Sequence, residues 1–364
     1  MSDDENGFKY KSKKTQNDDV AFLALNSGLQ AYFSTYQPFK FLLHIFAPEH
    51  VSKEDLEFYH PDAYCERYFQ VIVHFHQFAE LLCKRFLRED HPLLATDNNA
   101  NHLALHKALH KMVLPADEGN SIGFFRSLER LNTLVKKKML KNHDQLFFFV
   151  EHEKALIELN DLRNRILHRG RFILFYHELD KFICGQILPF INSVLNHNAY
   201  KNAMILGKCN TLSCKINPIE YLMDETKHNY KIERLALLKE LGRAAFMNLH
   251  QGASNIDTPE TIYEINDWQI RREAEKVALL SGAPVIEKCP VCGLDTLIVC
   301  FADHEEIDSS SGQILGTQSF AQSIKCTNCT FSINNNVEIP GNTDFSAIKN
   351  YWEIPRKIFQ GSSK

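Results

Sequence analysis

The chain has 364 residues, enough for two or three domains with sizeable hydrophobic cores. Hydrophobic residues make up 44% and charged residues 24%, a composition typical of globular proteins that excludes a disordered chain or a coiled coil. The net charge of −4 argues against a globally basic nucleic-acid-binding protein, although it does not exclude local basic patches.

The first 19 residues carry almost no apolar side chains, which predicts a disordered tail without a secretion signal. Apolar runs further along, such as Leu146 to Val150, reach only about five residues, whereas a membrane helix needs about twenty. We therefore predict a cytoplasmic protein that makes no membrane contact. Because thiols stay reduced in the cytoplasm, paired cysteines there indicate metal ligands rather than disulfides.

Apolar residues recur at three- and four-residue spacing from position 20 to about position 200, which predicts a helical bundle. Pro61 and Asp62 suit the start of a long helix, and His91-Pro92 ends it because proline lacks a backbone donor. Gly170 suits the C-terminal cap of another helix. The predicted helices cover residues 20–46, 62–90, 100–113, 121–141, 144–169 and 171–196, with the bundle core over 60–196.

The periodicity fades over residues 199–218, so a domain boundary is predicted near residue 200. Two more helices are predicted near 228–250 and 259–281, within a linking and bracing region over residues 201–283. Short β-rich runs follow in residues 284–340, and residues 341–364 are predicted to be a C-terminal tail. The predicted fold class is mainly α, a helical bundle followed by a small β-rich zinc ribbon.

Two C-x-x-C pairs lie in the β-rich region, Cys289 with Cys292 and Cys326 with Cys329. Both thiolates of one pair can reach a single ion, and two pairs complete the tetrahedral sulfur shell that zinc prefers. Gly293 follows the first pair, where a tight turn can use positive φ. We predict a structural Zn²⁺ held by all four cysteines. Redox-active dithiols and free thiols are the alternatives.

Arg163, Asn164 and His168 form an Arg-Asn-x-x-x-His motif at the end of a predicted long helix. Asn164 and His168 share a helix face because they lie four residues apart, and Arg163 lies about 140° from His168, so that both flank one groove. A guanidinium holds phosphate oxygens, and an imidazole moves protons near neutral pH. The alternative is that Arg163 and His168 are surface cations suited to the helix dipole.

This segment resembles the HEPN family, helical bundles that carry Arg-x(4–6)-His, often with Asn or another polar residue after the Arg. His76, Glu80 and Lys84, spaced at i, i+4 and i+8, also resemble that family's first long helix. The resemblance covers roughly residues 60–196. It implies a metal-independent endoribonuclease, in which the RNA 2′-OH attacks the adjacent phosphate and leaves a cyclic phosphate and a 5′-OH.

The resemblance also implies roles for individual residues, and no cofactor for catalysis. His168 would be the general base or acid, Arg163 would stabilise the charge on the phosphorane, and Asn164 would orient the scissile group. Glu80 is a supporting candidate that would orient Arg163, and its alternative is a solvated or capping carboxylate. The implied assembly is a homodimer with its cleft at the two-fold interface. The implied role is a toxin or phage-defence effector, with an antitoxin or defence-system partner.

Residues 136–171 carry nine Lys and Arg against five Asp and Glu, a local net charge of +4. Contacts with RNA phosphates need such a basic patch, and a solvated helix face is the alternative. The predicted RNA-binding residues are Lys136, Lys137, Lys138, Lys141, Arg165, Arg169 and Arg171.

Competing interpretations remain for the function and for the other histidines and cysteines. The main competitor is a non-catalytic module that binds RNA or nucleotide or dimerises, with a ribbon that recognises nucleic acid or protein. A structural adaptor is the third. His102, His106 and His110 could share a metal ion because of their four-residue spacing but are expected to be an exposed polar stripe, and His74 and His76 are expected to be buried histidines with their hydrogen bonds satisfied. Cys209 and Cys214, with His228 nearby in the sequence, could form a second metal site but are expected to be reduced thiols.

Overall fold

A computed structural model of the chain describes residues 20–41, 43, 60–97, 121–169, 172–200, 209, 212–228, 231–247, 267–281, 285–307, 314–337, 348 and 350–354. The protein is mainly helical and carries a small four-stranded antiparallel sheet in its C-terminal part, which confirms the predicted fold class. The predicted tail over residues 1–19, the helix predicted over 100–113 and the stripe of His102, His106 and His110 lie outside the described residues.

In chain order, the described α-helices are α1 (Val20–Phe33), α2 (Asp62–Asp90), α3 (Phe124–Lys136), α4 (Phe148–Glu151), α5 (Glu153–Arg169), α6 (Tyr176–Phe182), α7 (Leu188–Leu195), α8 (Pro218–His228), α9 (Ile232–Phe246) and α10 (Asp267–Leu280). The chain divides into two compact units. The first, here called the helical unit, comprises the described parts of Met1–Tyr32, Cys65–Leu174 and Phe182–Asn202. The second, the mixed unit, comprises those of Phe33–Tyr64, Phe175–Lys181 and Ala203–Lys364.

The long helix α2 has the bounds that the sequence predicts. It begins at Asp62, whose negative charge suits the helix N-terminus, and ends at Asp90, just before Pro92. His91 then caps a short 3-10 turn, because its Nδ1 accepts a hydrogen bond from the Leu93 backbone N–H at 3.2 Å. Local signals at both ends therefore determine the length of this helix.

Aromatic side chains fill the core of the helical unit. Phe149 and Phe190 meet with ring centroids 5.5 Å apart, and Phe78 packs on Phe190 at 6.2 Å. Helix α1 approaches α2 closely at Gly28, where a Cβ atom would come within 2.7 Å of the Phe75 ring. Glycine is therefore required for the close packing of these two helices.

Other helix bounds differ from the predicted ones. The first helix ends at Phe33, not at residue 46, and a 3-10 turn containing Pro38 follows, because proline cannot donate the next helical hydrogen bond. The helix predicted over 144–169 is interrupted at His152. Helix α8 was not predicted. Helices α9 and α10 are shorter than the predicted 228–250 and 259–281.

The chain between α6 and α7 forms a π-helical turn, Ile183–Ile187. Pro189 follows directly, at the start of α7, and its missing N–H leaves one backbone carbonyl without the usual helical donor. A wider turn is one way in which a helix accommodates such a lost hydrogen bond.

The sheet of the mixed unit is a meander of β1 (Val285–Lys288), β2 (Asp295–Ile307), β3 (Ile314–Cys326) and β4 (Ser332–Asn334), in the order β1-β2-β3-β4. Helix α10 packs on this sheet through Ala278, which joins Ile298 in a small buried cluster. Cys300 packs partly buried against the same cluster. No helix in the described part of the chain combines the length and apolar character needed to cross a bilayer.

Candidate functional site

Four cysteines of the mixed unit form a compact sulfur cluster. The ligand atoms of Cys289, Cys292, Cys326 and Cys329 all lie within 4.8 Å of one another. The Sγ atoms of Cys289 and Cys329 are 3.5 Å apart, and those of Cys292 and Cys326 are 3.7 Å apart. Zinc–sulfur bonds of about 2.3 Å in a tetrahedron place sulfurs about 3.8 Å apart, whereas a disulfide needs about 2.05 Å. The geometry is therefore compatible with a structural zinc site.

Each cysteine pair sits in a tight backbone turn. The Gly293 N–H donates to the Cys289 carbonyl at 2.9 Å, and the Cys329 N–H approaches the Cys326 sulfur at 3.4 Å. The residue after each pair, Gly293 or Thr330, adopts positive φ, at 77° and 61°. A Cβ atom on Gly293 would also lie 3.0 Å from the Ser213 hydroxyl. Gly293 thus adopts positive φ as predicted, and its short distance to Ser213 is a second reason why glycine is needed at this position.

Neighbouring sulfurs separate the pKa values within the cluster. Hydrogen bonds from Cys289, Cys326 and Cys329 lower the pKa of Cys292, and chiefly Cys289 lowers that of Cys326 to about 7. Burial raises the pKa of Cys289 instead. Thiolates are the form that binds metal, so the lowered pKa values favour ligation by Cys292 and Cys326, whereas the raised pKa values of Cys289 and Cys329 oppose it. Among the residues that the structure describes, no other set of three or more Cys, His, Asp or Glu is arranged for a metal, and Cys209 and Cys214 are buried thiols.

Helix α9 braces the second cysteine pair through a partly buried arginine and a fully buried glutamate. Arg243 donates to the Thr330 carbonyl at 2.6 Å, and Glu240 accepts a hydrogen bond from the Ser332 backbone N–H at 2.5 Å. Arg243 also pairs with Glu240 at 2.6 Å, and the Tyr36 hydroxyl donates to the same carboxylate. Burial raises the pKa of Tyr36 well above its ordinary value. The turn after Cys329 is thus held by a fully buried carboxylate on a separate helix.

Helix α9 also forms a fully buried ion pair with α6. Lys239 and Asp180 are both fully buried, and their charged atoms are 2.5 Å apart. The Lys239 ammonium also donates to the Thr35 hydroxyl at 2.9 Å and lies 4.1 Å from the centre of the Tyr176 ring. Because a buried charge without a partner is costly, these contacts tie α6 and the segment after α1 to α9.

A cleft of 460 Å³ opens in the helical unit between α2, the start of α3 and α5. Arg163 and Asn164 of the predicted motif line it, together with the supporting candidate Glu80. The other lining residues are His76, Asp97, Ser121, Ile122, Gly123, Phe124, Phe125, Arg126 and Asn160. Packing therefore brings part of the motif on α5 into one cavity with the polar residues of α2.

Arg163 is the cation in this cleft without a carboxylate partner. Its guanidinium donates to Asn164 Oδ1 at 3.0 Å and, within the described part of the chain, makes no ion pair. The other charges are matched, since Arg126 lies 3.5 Å from Asp97 and Lys84 lies 2.6 Å from Glu80. A half-buried, unmatched guanidinium provides a binding position for an anion.

His76 lines the cleft, although the sequence predicts a buried histidine there and no catalytic role for it. It is only 5% exposed, so the expected burial is confirmed. Its Nε2 lies 3.1 Å from Asn160 Oδ1, its Nδ1 lies 3.8 Å from Glu80, and its ring packs edge-on against Phe124. Burial lowers its pKa, while Asn160 and Glu80 oppose that shift. A neutral imidazole is therefore held at the cleft wall near Arg163.

His168 lies apart from the other two motif residues. It is exposed, and the residues that line the cleft within the described ranges do not include it. On an ideal helix it follows Asn164 by one turn, about 6 Å along the axis. The structure thus joins Arg163, Asn164 and Glu80 in one cavity and leaves His168 on the surface beyond it.

The predicted RNA-binding residues are distributed over several surfaces. Lys136, Lys137, Lys138 and Lys141 are exposed at the end of α3 and in the turn after it, and Lys136 pairs with Glu153 at 3.0 Å. Arg165 is exposed on α5. The side chains of Arg169 and Arg171 lie outside the described residues.

Sequence reasoning missed His76, Asn160 and Arg126 as cleft residues. His76 and Asn160 had a usable signal, because buried polar side chains on two predicted helices often pair with each other. Arg126 had none, since its position depends on how α3 packs. Comparison of the chain with protein-family models, curated proteins and solved structures finds no match.

Proposed function

We propose that the protein is a metal-independent endoribonuclease that binds the scissile phosphate of RNA in the 460 Å³ cleft. The observation that carries the proposal is Arg163, a half-buried guanidinium without a carboxylate partner among the described residues, which lies beside Asn164 in that cleft. Guanidinium groups bind phosphate oxygens in a bidentate manner and offset the charge that develops on them in the transition state.

Asn164 suits the orientation of the phosphate. Its Oδ1 accepts the hydrogen bond from Arg163, so its Nδ2 group can donate to a phosphate oxygen. Glu80 is held by Lys84 at 2.6 Å, which offsets its negative charge and reduces its repulsion of a phosphate. The cleft is therefore more favourable for an anion than the formal charges of its residues indicate, because Asn164 can donate a hydrogen bond and Lys84 offsets the charge of Glu80.

His168 has the role of proton-transfer residue in this proposal. The RNA 2′-OH forms a bond to the phosphorus and loses its proton to the imidazole, while the bond from phosphorus to O5′ breaks and O5′ takes up a proton. In a two-fold homodimer, one His168 accepts the first proton and the His168 of the second copy supplies the other. The exposure of His168 is compatible with this arrangement, because an exposed imidazole is accessible to RNA and to a second copy.

The four-cysteine cluster holds one structural Zn²⁺ in this proposal. Four thiolates close the coordination shell, which leaves no open position for a reacting water. The sulfur distances of 3.5 and 3.7 Å support this assignment. The zinc stabilises the mixed unit and takes no part in RNA cleavage.

The direct test is cleavage of single-stranded RNA in EDTA, under conditions in which metal analysis shows that the cysteine-bound zinc is retained. Arg163→Ala and His168→Ala should each lower the cleavage rate by about a hundredfold or more. Arg67→Ala and His304→Ala, which alter exposed residues that do not line the cleft, are the controls and should cut like wild type. Wild-type rates in both the Arg163→Ala and the His168→Ala variants, with circular dichroism unchanged, would contradict the catalytic assignment.

A non-catalytic RNA-binding module is the second candidate function. The observation that favours it is the position of His168 outside the lining of the cleft. Such a module binds RNA with a strong salt dependence and leaves it intact. The same assay separates the two candidates, since RNA binding without any cleavage product supports the module.

A further inference from the structure

A second cleft, of 310 Å³, runs along a different face of α5. Residues 154, 158, 161 and 165 follow a spacing of four, three and four, so their side chains share that face. The cleft is lined by Lys154, Ile157, Glu158, Asp161, Leu162, Arg165, Phe172 and Leu174, all within the helical unit. Its volume falls in the range of about 300–1,000 Å³ that is usual for small-ligand sites.

Phe172 and Arg165 line this cleft, and their planar side chains can stack against a planar ligand. The Arg165 guanidinium carbon lies 5.0 Å from the centre of the Phe172 ring, and Phe172 is 38% exposed. Exposed aromatic rings and guanidinium planes are the surfaces on which unpaired bases stack. The pair therefore provides a platform for a planar, unpaired base.

The charged groups of this cleft favour a neutral ligand over a phosphate. It contains two cations, Lys154 and Arg165, and two carboxylates, Glu158 and Asp161. In the described part of the chain, none of the four forms an ion pair or a side-chain hydrogen bond, although two pairs of opposite charge lie four residues apart. The carboxylates repel phosphate and remain able to accept hydrogen bonds from N–H donors.

We propose that this cleft binds an unpaired guanine base of single-stranded RNA, an inference that rests on the proposed function. Guanine carries two adjacent N–H donors and one carbonyl acceptor on its Watson–Crick edge. Asp161 accepts the two donors, Lys154 donates to the carbonyl, and the ring stacks on Phe172. Adenine, cytosine and uracil lack that pair of adjacent donors.

The two clefts are close enough for one RNA strand to enter both. Asp161 of the guanine cleft and Asn164 of the phosphate cleft lie three residues apart on α5, about 4.5 Å along its axis and 60° around it. A base stacked on Phe172 therefore selects which phosphate of the strand reaches Arg163. The substrate class is single-stranded RNA with a guanine near the scissile phosphate.

The test is fluorescence anisotropy with labelled 2′-O-methyl pentanucleotides, which lack the attacking hydroxyl and so separate binding from cleavage. The probes have the sequences UUGUU, UUAUU, UUCUU and UUUUU. Wild type should bind UUGUU about tenfold more tightly than the other three, and Phe172→Ala should weaken that binding by about tenfold. Asp161→Asn should remove the preference for guanine and leave the affinity for UUUUU unchanged.

Phe69→Ala and Asp144→Asn change exposed residues outside both clefts and should bind all four probes like wild type. Equal affinities for the four probes, or a guanine preference that survives Asp161→Asn, would overturn the guanine site. A guanine preference without any RNA cleavage in the EDTA assay means that the endoribonuclease proposal fails and the guanine site stands. Cleavage without base preference means that the guanine site fails and the endoribonuclease proposal stands. If none of the four probes binds, the guanine site is overturned as well.

Discussion

The four-cysteine cluster and the 460 Å³ cleft are assembled in different ways. All four cluster ligands come from two segments of four residues, and each segment is shaped by its own backbone turn. The cleft instead collects side chains from α2, α5 and residues 97 and 121–126, which meet only when the helices pack. The spacing of residues in the sequence therefore predicts metal ligands that local turns hold in place, whereas it predicts only part of a cavity that forms between packed helices.

The largest expected effect tests the local assembly of the cysteine cluster. Cys326→Ser removes one of four ligands, and structural zinc sites contribute about 10–16 kcal/mol to the folding of small zinc domains. We expect the bound zinc to fall from about one per chain to well below half, and the free energy of unfolding to fall by at least about 4 kcal/mol. Metal analysis and urea unfolding measure the two quantities.

Cys300→Ser is the matched control, because this thiol lies partly buried in β2 outside the cluster. It should retain the full zinc content. A Cys326→Ser protein with wild-type zinc content and stability would show that Cys326 is not a zinc ligand, and a wild-type protein without bound zinc would show that the cluster is a set of free thiols.

The next effect tests whether the second cysteine turn depends on α9 as well as on its own backbone. Glu240→Gln removes the buried charge that pairs with Arg243 and weakens the acceptor for the Ser332 N–H. Breaking one partner of a buried pair costs about 3–5 kcal/mol. We expect a loss of that size in urea unfolding, with faster release of zinc to a chelator.

Glu275→Gln provides the comparison for an exposed pair, because Glu275 meets Arg271 on the surface at 3.2 Å. Such pairs contribute about 0–1 kcal/mol. If both substitutions cost the same, the cysteine turns are held by local structure alone, and the bracing by α9 is irrelevant to them.

The smallest effect concerns the buried histidine of the cleft. Burial lowers the pKa of His76, so the folded protein binds less proton than the unfolded chain as the pH falls below about 6.5. The contribution of His76 to the free energy of unfolding should therefore be at its maximum above that pH. Below it, this contribution should decrease by at most about 1.4 kcal/mol per pH unit. Glu80, Lys84 and Arg163 are the charged groups that face the ring.

His76→Gln should make the free energy of unfolding depend less steeply on pH between pH 6.5 and 5. Urea unfolding at several pH values measures this slope. Burial also lowers the pKa of His152, His177 and His197, so part of the slope should persist in the variant. His304→Gln, at an exposed position, is the control. An unchanged slope in His76→Gln would mean that this ring is as accessible to protons as a surface histidine.

Particular residues show how far the sequence determines this molecule. Asp62 and Pro92 bound α2, and the two C-x-x-C pairs meet in one cluster, because these features depend on neighbours in the chain. The position of His76 in the cleft depends instead on how Phe124 and Asn160 pack around it. A single helical spacing could not reveal that Arg163 lines the cavity while His168 stays outside.

The product chemistry of RNA cleavage tests the central claim most directly. A single-stranded RNA is incubated with the zinc-retaining protein in EDTA, beside the same RNA with a 2′-deoxy residue at the cleavage site. We predict that the first is cut to a 2′,3′-cyclic phosphate and a 5′-OH, and that the second stays intact at that site. Cleavage of the deoxy substrate there, or products with a 5′-phosphate, would contradict the account.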